Sequence, residues 1–267
     1  MALPLSQHPG EPVVNEVANV APQAKTIMEA RGITKRFQGL VSVDKVSFSL
    51  AENEILGLIG PNGAGKTTLV NMIGGTLKPN EGDLLFEGER INDVSPYRRA
   101  HLGIARTFQI MKPFPGMSVL ENVAVGALFG RDGGEKSMAK AREIAREWIT
   151  FTGLGQRMDA HADALGGPDR KRLEFAKALA MGPKLLLLDE VMAGLNHVEV
   201  DEMVELIKKI RARGVTLLVI EHVIKAIRSL SDRVMVLHHG ERIAEGDPAL
   251  VLADPRVVEA YLGKRRT

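Results

Sequence analysis

A glycine-rich segment near residue 60 has the residue types and the spacing needed to bind phosphate. Gly60 is followed, after four residues, by Gly65, Lys66 and Thr67, which is the spacing of a phosphate-binding P-loop. Glycines let the chain turn tightly, so that backbone N–H groups can surround a polyphosphate. A helix expected to begin near Lys66 adds its positive N-terminal end. We predict a phosphate site formed by Gly60, Pro61, Asn62, Gly63, Ala64, Gly65, Lys66, Thr67 and Thr68.

Two side chains of this loop have predicted roles. Lys66 can reach the β- and γ-phosphates of a nucleotide, and the Thr67 hydroxyl can ligate a magnesium ion. The competing interpretation is a glycine-rich turn that carries an exposed lysine. The apolar strand at residues 55–59, directly before the loop, favours the phosphate site because it completes the strand-loop-helix pattern of a P-loop.

A pair of carboxylates follows the apolar run at residues 185–188. Ligands collect at the carboxyl ends of strands in a parallel α/β sheet, so Asp189 and Glu190 should lie beside the P-loop. We expect Asp189 to hold magnesium through water, and Glu190 to orient and deprotonate an attacking water. Alone, the two acids could simply end a strand and cap the next helix. The P-loop upstream favours the catalytic interpretation.

The elements around these motifs predict an α/β protein with a P-loop core. Apolar runs of strand length, separated by helical segments, imply a parallel sheet. They lie at residues 55–59, 184–189, 215–220 and 233–237. Segments between residues 28 and 88 predict a small antiparallel sheet beside the P-loop strand. A short strand at 103–108 leads to Gln109.

A helical insertion is expected at about residues 112–182. Ser118 and Glu121 have the form of a capping box, a charged, alanine-rich helix is expected from about 135 to 152, and another should begin near Pro168. We predict a flexible tail at residues 1–26, one domain at 27–263 and a basic end at 264–267.

Composition limits the possible classes of protein. The chain has 267 residues, of which 45% are hydrophobic, so a sizeable core is expected. It has no cysteine, which excludes disulfides and cysteine metal sites. A net charge of +2 gives no indication of nucleic-acid binding. No apolar stretch approaches the roughly 20 residues that cross a bilayer, so work at a membrane would go through a partner.

The order and spacing of six elements resemble the ATP-binding subunits of ABC transporters, over about residues 28–263. Besides the P-loop and the Asp189-Glu190 pair, the matching residues are Gln109 (Q-loop), Leu165-Gly166-Gly167 (signature), Gly194-Leu195-Asn196 (D-loop) and His222 (switch histidine). The resemblance implies an ABC ATPase fold, with ATP and Mg²⁺ as cofactors.

The resemblance also implies roles for individual residues. Phe37 would stack on adenine, although packing in the core is the alternative. Gln109 would bind magnesium or water and sense the helical insertion. His222 would hydrogen-bond to the γ-phosphate, although a lone histidine before a helix is usually only a cap. Gly166 and Gly167 would face the nucleotide of an opposite subunit.

The signature is where this chain departs from the family pattern. The usual Leu-Ser-Gly-Gly-Gln is replaced by Leu165-Gly166-Gly167-Pro168-Asp169. Gly166 therefore lacks the serine hydroxyl that reaches the γ-phosphate, while Pro168 and Asp169 suit the first turn of a helix. Two smaller departures are Val191, where proline is common, and Asn196, where aspartate is usual.

Three segments look like the first of the two ATPases in branched-chain amino-acid-type importers: Gly103–Gln109, Met192–Asn196 and Glu259–Gly263. The resemblance implies an importer of hydrophobic amino acids or related small organic solutes. It implies a second ATPase subunit in a hetero- or homodimer, two membrane permeases and, indirectly, an external solute-binding protein. The chain would lie peripherally on the cytoplasmic face of the membrane.

Three alternatives remain at this point. The weakened signature is compatible with a regulatory half that mainly binds ATP. A lipid-export ABC ATPase is a second alternative, although the Arg106-Thr107-Phe108-Gln109 segment argues against it, because those relatives more often carry proline before the glutamine. ABC proteins of translation or DNA repair are a third, but they usually hold two cassettes or a long coiled coil.

Overall fold

The computed structural model describes residues 25–107 and 113–262. Within these ranges the strands are β1 (Thr26–Phe37), β2 (Leu40–Ala51), β3 (Ile55–Ile59), β4 (Glu81–Phe86), β5 (Glu89–Arg90), β6 (Ile104–Arg106), β7 (Leu185–Asp189), β8 (Thr216–Ile220), β9 (Arg233–His238) and β10 (Glu241–Gly246). The α-helices are α1 (Lys66–Gly74), α2 (Pro96–Leu102), α3 (Val119–Leu128), α4 (Met138–Phe151), α5 (Gly167–Ala180), α6 (His197–Ala212), α7 (Ile224–Leu230), α8 (Pro248–Ala253) and α9 (Pro255–Leu262).

The central sheet has six strands in the order β10-β9-β3-β8-β7-β6. All neighbouring pairs are parallel except the β9–β10 hairpin. The predicted parallel sheet is therefore confirmed. The strand before the P-loop, β3, lies between β8 and β9 near the middle of the sheet, and β7 is the next strand but one. This order brings the P-loop and the carboxylates after β7 to the same edge.

A second sheet of four antiparallel strands, in the order β2-β1-β4-β5, confirms the predicted β subdomain. The sequence pattern suggested a beginning at Met28, but β1 begins at Thr26, because Thr26 pairs with Ala51 on β2. The two strands pair along their length as one antiparallel hairpin.

The apolar runs of the central sheet are continuous because both faces of the sheet are covered. Leu56 and Leu58 of β3 pack into a core shared with the antiparallel sheet and α1. Ile55 and Ile59, which point the other way, pack into a second core with α5, α6 and α7. The P-loop strand is thus held rigidly between two cores.

The helical region has a third core of its own, formed by α3, α4 and α5. The predicted capping box is confirmed: the Ser118 hydroxyl accepts from the Glu121 N–H, and the Glu121 carboxylate accepts from the Ser118 N–H. Helix α4 begins at Met138 rather than near residue 135, because the Ser137 side chain caps it.

Several predicted features lie outside the described residues. They are most of the tail at 1–26, the end of the predicted 103–108 strand, Gln109 and the basic end at 264–267. Within the part of the chain that the structure describes, no helix is both long enough and apolar enough to span a membrane.

Candidate nucleotide-binding site

The P-loop leaves the end of β3 in a conformation that only glycine accepts at two positions. Gly60 has φ 149° and Gly65 has φ 103°, in the region that side chains disfavour. A Cβ at Gly60 would lie 2.1 Å from the Leu237 carbonyl oxygen, and one at Gly65 would lie 2.3 Å from the Ser42 carbonyl oxygen. A cleft of about 180 Å³ results, lined by Ser42, Asn62, Gly63, Ala64, Gly65, Lys66, Thr67, Thr68 and Glu190.

Lys66 is buried at the start of α1 and is anchored to its own loop. Its Nζ donates to the carbonyl oxygens of Gly60 at 2.7 Å and Pro61 at 3.0 Å. An ammonium has three donors, so one remains for a phosphate oxygen. Burial lowers the pKa of Lys66, whereas the charges of Glu190 and Asp189 act in the opposite direction. The loop therefore presents a fixed cation to the cleft.

The threonine pair occupies different surroundings. Thr67 is exposed in the cleft, where its hydroxyl is available to a ligand. The Thr68 hydroxyl lies 2.8 Å from the Ser42 hydroxyl. Because Ser42 belongs to β2, this contact joins the P-loop to the antiparallel sheet.

Asp189, at the end of β7, is 3% exposed and pairs with Arg106 of β6. The Arg106 Nη2 atom lies 2.6 Å from Asp189 Oδ2, and Nη1 lies 2.5 Å from the Asn71 side-chain oxygen on α1. Arg106 thus links the predicted magnesium ligand to the helix that follows the P-loop. Arg106 was not predicted as a site residue, because an arginine in a short strand has many possible partners until the strand order places β6 beside β7.

Glu190 follows directly, and its backbone has a left-handed conformation with φ 51°, which is uncommon for a side chain of this kind. Its N–H donates to the Ile220 carbonyl at 2.9 Å, which fixes the turn. Its Oε1 lies 2.6 Å from His222 Nε2. The structure therefore brings two of the predicted catalytic side chains into contact at the rim of the cleft.

Glu221 was not predicted, yet it is 1% exposed beside these residues. Its Oε1 accepts from the Met192 N–H at 2.7 Å. Burial raises the pKa of Glu221 to about 7; the backbone N–H groups of Met192 and His222 act against this, and the charge of Glu190 adds to it. This buried carboxyl holds Met192, two residues before the D-loop, to the end of β8.

The signature segment opens helix α5 in the expected way. Gly166 is the N-cap residue, Pro168 lies in the first turn, and Asp169 supplies an acidic group there. A Cβ at Gly166 or Gly167 would meet nothing within 4 Å. Among the described residues that line the P-loop cleft, neither glycine is present.

Two further predicted positions have clear local explanations. Phe37, at the end of β1, is 41% exposed, so the alternative that it packs in the core is wrong. The Lys35 ammonium lies 5.3 Å from the centre of its ring. Asn196 is the N-cap of α6 and accepts from the N–H groups of Val198 and Glu199. Asparagine performs this capping as well as aspartate does.

The oxygen donors at this site suit a magnesium ion that is held mainly by the phosphates of a nucleotide. Thr67 supplies a hydroxyl and Asp189 a carboxylate, which are oxygen ligands that Mg²⁺ prefers. Among the described residues, no group of three or more His, Asp or Glu side chains is arranged to hold a metal. Mg²⁺ commonly completes its shell with water and phosphate oxygens, and such a site needs few protein ligands.

Comparison with known proteins agrees with this geometry. A family model described as ABC transporter matches residues 43–193, and one described as branched-chain amino acid ATP-binding cassette transporter matches residues 241–266. The high-affinity branched-chain amino acid transport ATP-binding protein BraF of Pseudomonas aeruginosa is 35% identical over 253 residues, covering 90% of this chain and 99% of the relative. LivG of Escherichia coli, with the same description, is 34% identical over 253 residues, with the same coverage.

Solved structures of similar fold are also ATP-binding cassettes of ABC transporters. A nucleotide-free ATP-binding cassette from an ABC transporter has a TM-score of 0.80 and 33% identity, and covers 90% of this chain and 100% of its own. A structure of the ADP conformation of an ATP-binding cassette of an ABC transporter also has a TM-score of 0.80, with 34% identity, covering 90% of this chain and 99% of its own. The predicted fold class is confirmed.

Proposed function

This chain belongs to the ABC transporter family, and from that membership we propose that it is the ATP-binding and ATP-hydrolysing subunit of an importer. The observation that supports ATPase activity is that the P-loop lysine, Lys66, and the acid Glu190 line the same cleft. The match of residues 241–266 to the branched-chain amino acid model supports an importer of branched-chain amino acids. Other hydrophobic amino acids or related small organic solutes belong to the same proposal.

In the proposed mechanism the backbone N–H groups of the P-loop and the Lys66 ammonium hold the phosphates. Thr67 and Asp189 would hold Mg²⁺, whose charge offsets the negative charge of the phosphates. Glu190 accepts the proton of the attacking water. His222 remains the proposed hydrogen-bond partner of the γ-phosphate, and its 2.6 Å contact with the Glu190 carboxylate also orients that acid. Phe37 offers its exposed ring to adenine, and Gln109 remains a proposed ligand of Mg²⁺ or water.

We further propose that the site is completed by a second ATPase subunit. Gly166 and Gly167 are exposed and lie outside the cleft lining, so they are available to the nucleotide of a partner subunit in a head-to-tail pair. The same assembly would hold two permeases and would be served by an external solute-binding protein, with this chain on the cytoplasmic face of the membrane. We retain residues 27–263 as one domain, with a helical part at about 112–182.

A groove of about 480 Å³ between α3 and α5 suits a cytoplasmic segment of a permease. Its lining is largely apolar, with two exposed aromatic side chains, Phe114 and Phe129. Arg106 also lines this groove while it contacts Asp189. A permease segment seated here would therefore lie next to the residue that holds the magnesium ligand.

A second candidate is a regulatory half that binds ATP but supports little hydrolysis by its partner. The observation that favours it is Gly166, which has no hydroxyl to offer a phosphate. The first candidate requires only that the P-loop and Glu190 of this chain meet a competent signature on a second subunit. The two candidates therefore differ in which nucleotide site is weakened.

The test is ATP hydrolysis by the purified chain beside a Glu190→Gln variant, with size-exclusion chromatography in ATP and magnesium. Steady turnover that is lost in Glu190→Gln, with an ATP-dependent dimer, supports the ATPase subunit and a competent signature. Binding of ATP without turnover or dimer supports dependence on a different partner subunit. Failure of the wild-type chain to bind ATP would overturn both candidates.

A further inference from the structure

The last described helix, α9, contacts the first residue of the P-loop. The Gly60 N–H donates to the Tyr261 hydroxyl at 2.8 Å, although the two residues are 201 positions apart. Gly60 is buried, so its N–H depends on a protein partner. The site residues identified so far include no member of α9.

Gly60 is fixed on its other side by the phosphate-binding lysine. Its carbonyl oxygen accepts from Lys66 Nζ at 2.7 Å. Its Cα is packed so closely against β9 that a Cβ would lie 2.1 Å from the Leu237 carbonyl oxygen. The direction of the Gly60 backbone therefore sets the point to which the Lys66 ammonium is anchored.

The C-terminal part of the chain supports the loop at a second point. In the turn between β9 and β10, the Gly240 N–H donates to the Ala64 carbonyl at 3.1 Å. Helix α9 is itself held in place by the buried Val257, which is 3% exposed, and by its contacts with α8 and β10. Tyr261 is therefore carried by an anchored helix rather than by a loose end.

We propose that Tyr261 is a positioning residue for nucleotide binding: its hydroxyl holds the Gly60 N–H and so fixes the start of the P-loop. The inference rests on the proposed ATP site and extends that site to the C-terminal helix. A loop held in its binding conformation loses less entropy when a ligand arrives, so this contact strengthens affinity rather than the chemical step. Any partner that displaced α9 would weaken nucleotide binding.

The protonation state of the Tyr261 hydroxyl is consistent with this role. Burial raises the pKa of Tyr261, although its contact with the Gly60 N–H acts against that shift. The phenol is therefore neutral at physiological pH, and its oxygen accepts from Gly60 while its own proton can go to water.

The test compares Tyr261→Phe with wild type and with Tyr97→Phe, which changes the other tyrosine of the chain. Tyr97 is 61% exposed on α2, and its hydroxyl accepts from Arg98. Each protein is titrated with a fluorescent ATP analogue, and KM and kcat for ATP are measured. For Tyr261→Phe we expect two- to ten-fold weaker binding and a KM raised by the same factor, because one hydrogen bond to a buried N–H is lost. We expect kcat within about two-fold of wild type.

Amide hydrogen exchange in the peptide that contains Gly60 is the second measurement, and it should be faster in Tyr261→Phe. Affinity equal to that of Tyr97→Phe, or unchanged exchange at Gly60, would overturn the inference. A wild-type chain that bound no ATP analogue would instead overturn the proposed function on which the inference rests.

Discussion

The His222 Nε2 atom lies 2.6 Å from Glu190 Oε1, across the ends of two neighbouring strands. The contact exists because β7 and β8 pair in parallel register, with Asp189 opposite Ile220, so each strand ends at the same level. Glu190 then turns back through its left-handed backbone toward His222, the second residue after β8. The geometry predicts that the histidine orients the catalytic acid.

The His222→Ala variant should hydrolyse ATP at least 100-fold more slowly, because a poorly oriented general base loses most of its contribution. Nucleotide affinity should stay within about three-fold of wild type, since the P-loop is unchanged. Phosphate release at saturating ATP checks the first expectation, and titration with a fluorescent analogue checks the second. His161→Ala, at an exposed position in the helical region, is the control. Near-normal turnover in His222→Ala would contradict the assignment.

The raised pKa of Glu221 predicts that the stability of the protein depends on pH. Its pKa is about 7 in the folded protein, against an ordinary value of 4.5. Between these values the folded protein keeps a proton that the unfolded chain releases. The stabilising contribution is therefore fully present below pH 4.5 and is lost as the pH rises through 7, on the order of 3 kcal/mol in all.

The Glu221→Gln variant should remove this dependence, because an amide stays neutral and its oxygen can still accept from the Met192 N–H. Urea denaturation at pH 5, 6.5 and 8 should give similar stabilities at pH 5 and a growing advantage for the variant towards pH 8. Glu205→Gln, at an exposed position on α6, serves as the control. Parallel pH profiles of wild type and Glu221→Gln would rule out an elevated pKa at this site.

Much of the fold could be predicted because its local signals agree with its tertiary environment. The residues of β3 are apolar throughout, those of β7 are apolar up to the final Asp189, and both strands are buried on both faces, as such runs indicate. The Ser118–Glu121 capping box sets a helix start by local hydrogen bonds alone. Strand starts were less predictable: Thr26 joins β1 only because Ala51 lies opposite it on β2.

The residues of the candidate site likewise fall into those that the sequence predicts and those that only the fold reveals. The P-loop is a contiguous motif, so its residues could be named from spacing. Arg106, Glu221 and Tyr261 act through contacts with distant segments, and their residue types alone have many possible uses. An arginine in a strand becomes informative only when the strand order places it against Asp189. The identity of such partners depends on the packing of the sheet.

Removal of one partner of the buried Arg106–Asp189 pair should be strongly destabilising. Replacing Arg106 by Met leaves a carboxylate that is 3% exposed without its cation, at a cost of about 3 kcal/mol. Urea denaturation in EDTA measures this loss, and the double variant Arg106→Met/Asp189→Asn should recover part of it. Saturating Mg²⁺ and ATP should also reduce the loss, since Mg²⁺ would supply the missing positive charge. A single variant as stable as wild type would contradict a strong interaction.

Phe129 tests the groove proposed for the permease. It is 65% exposed at the groove between α3 and α5, so Phe129→Asp should leave folding and the ATPase activity of the isolated chain nearly unchanged. Copurification with the permease subunits should be lost, because a charge enters an apolar contact. Leu250→Asp, at a 75% exposed position on α8, is the matched control. Full retention of the complex in Phe129→Asp would place the permease contact elsewhere.

Gly166 allows the unusual signature to be tested directly. Its φ of −71° and ψ of 172° suit any residue, and a Cβ there meets nothing within 4 Å. Serine therefore fits without strain. As an N-cap it should change the free energy of unfolding by only a few tenths of a kcal/mol relative to glycine.

If the missing hydroxyl limits hydrolysis at the opposite site, Gly166→Ser should raise the rate of ATP turnover several-fold in whichever dimer the chain forms. Gly167→Ser places the same hydroxyl one residue further on and should give no gain. Phosphate release and thermal stability, measured side by side, separate the two effects. Equal turnover in wild type and Gly166→Ser would mean that the backbone of the signature is sufficient, and that the glycine serves mainly as the first cap of α5.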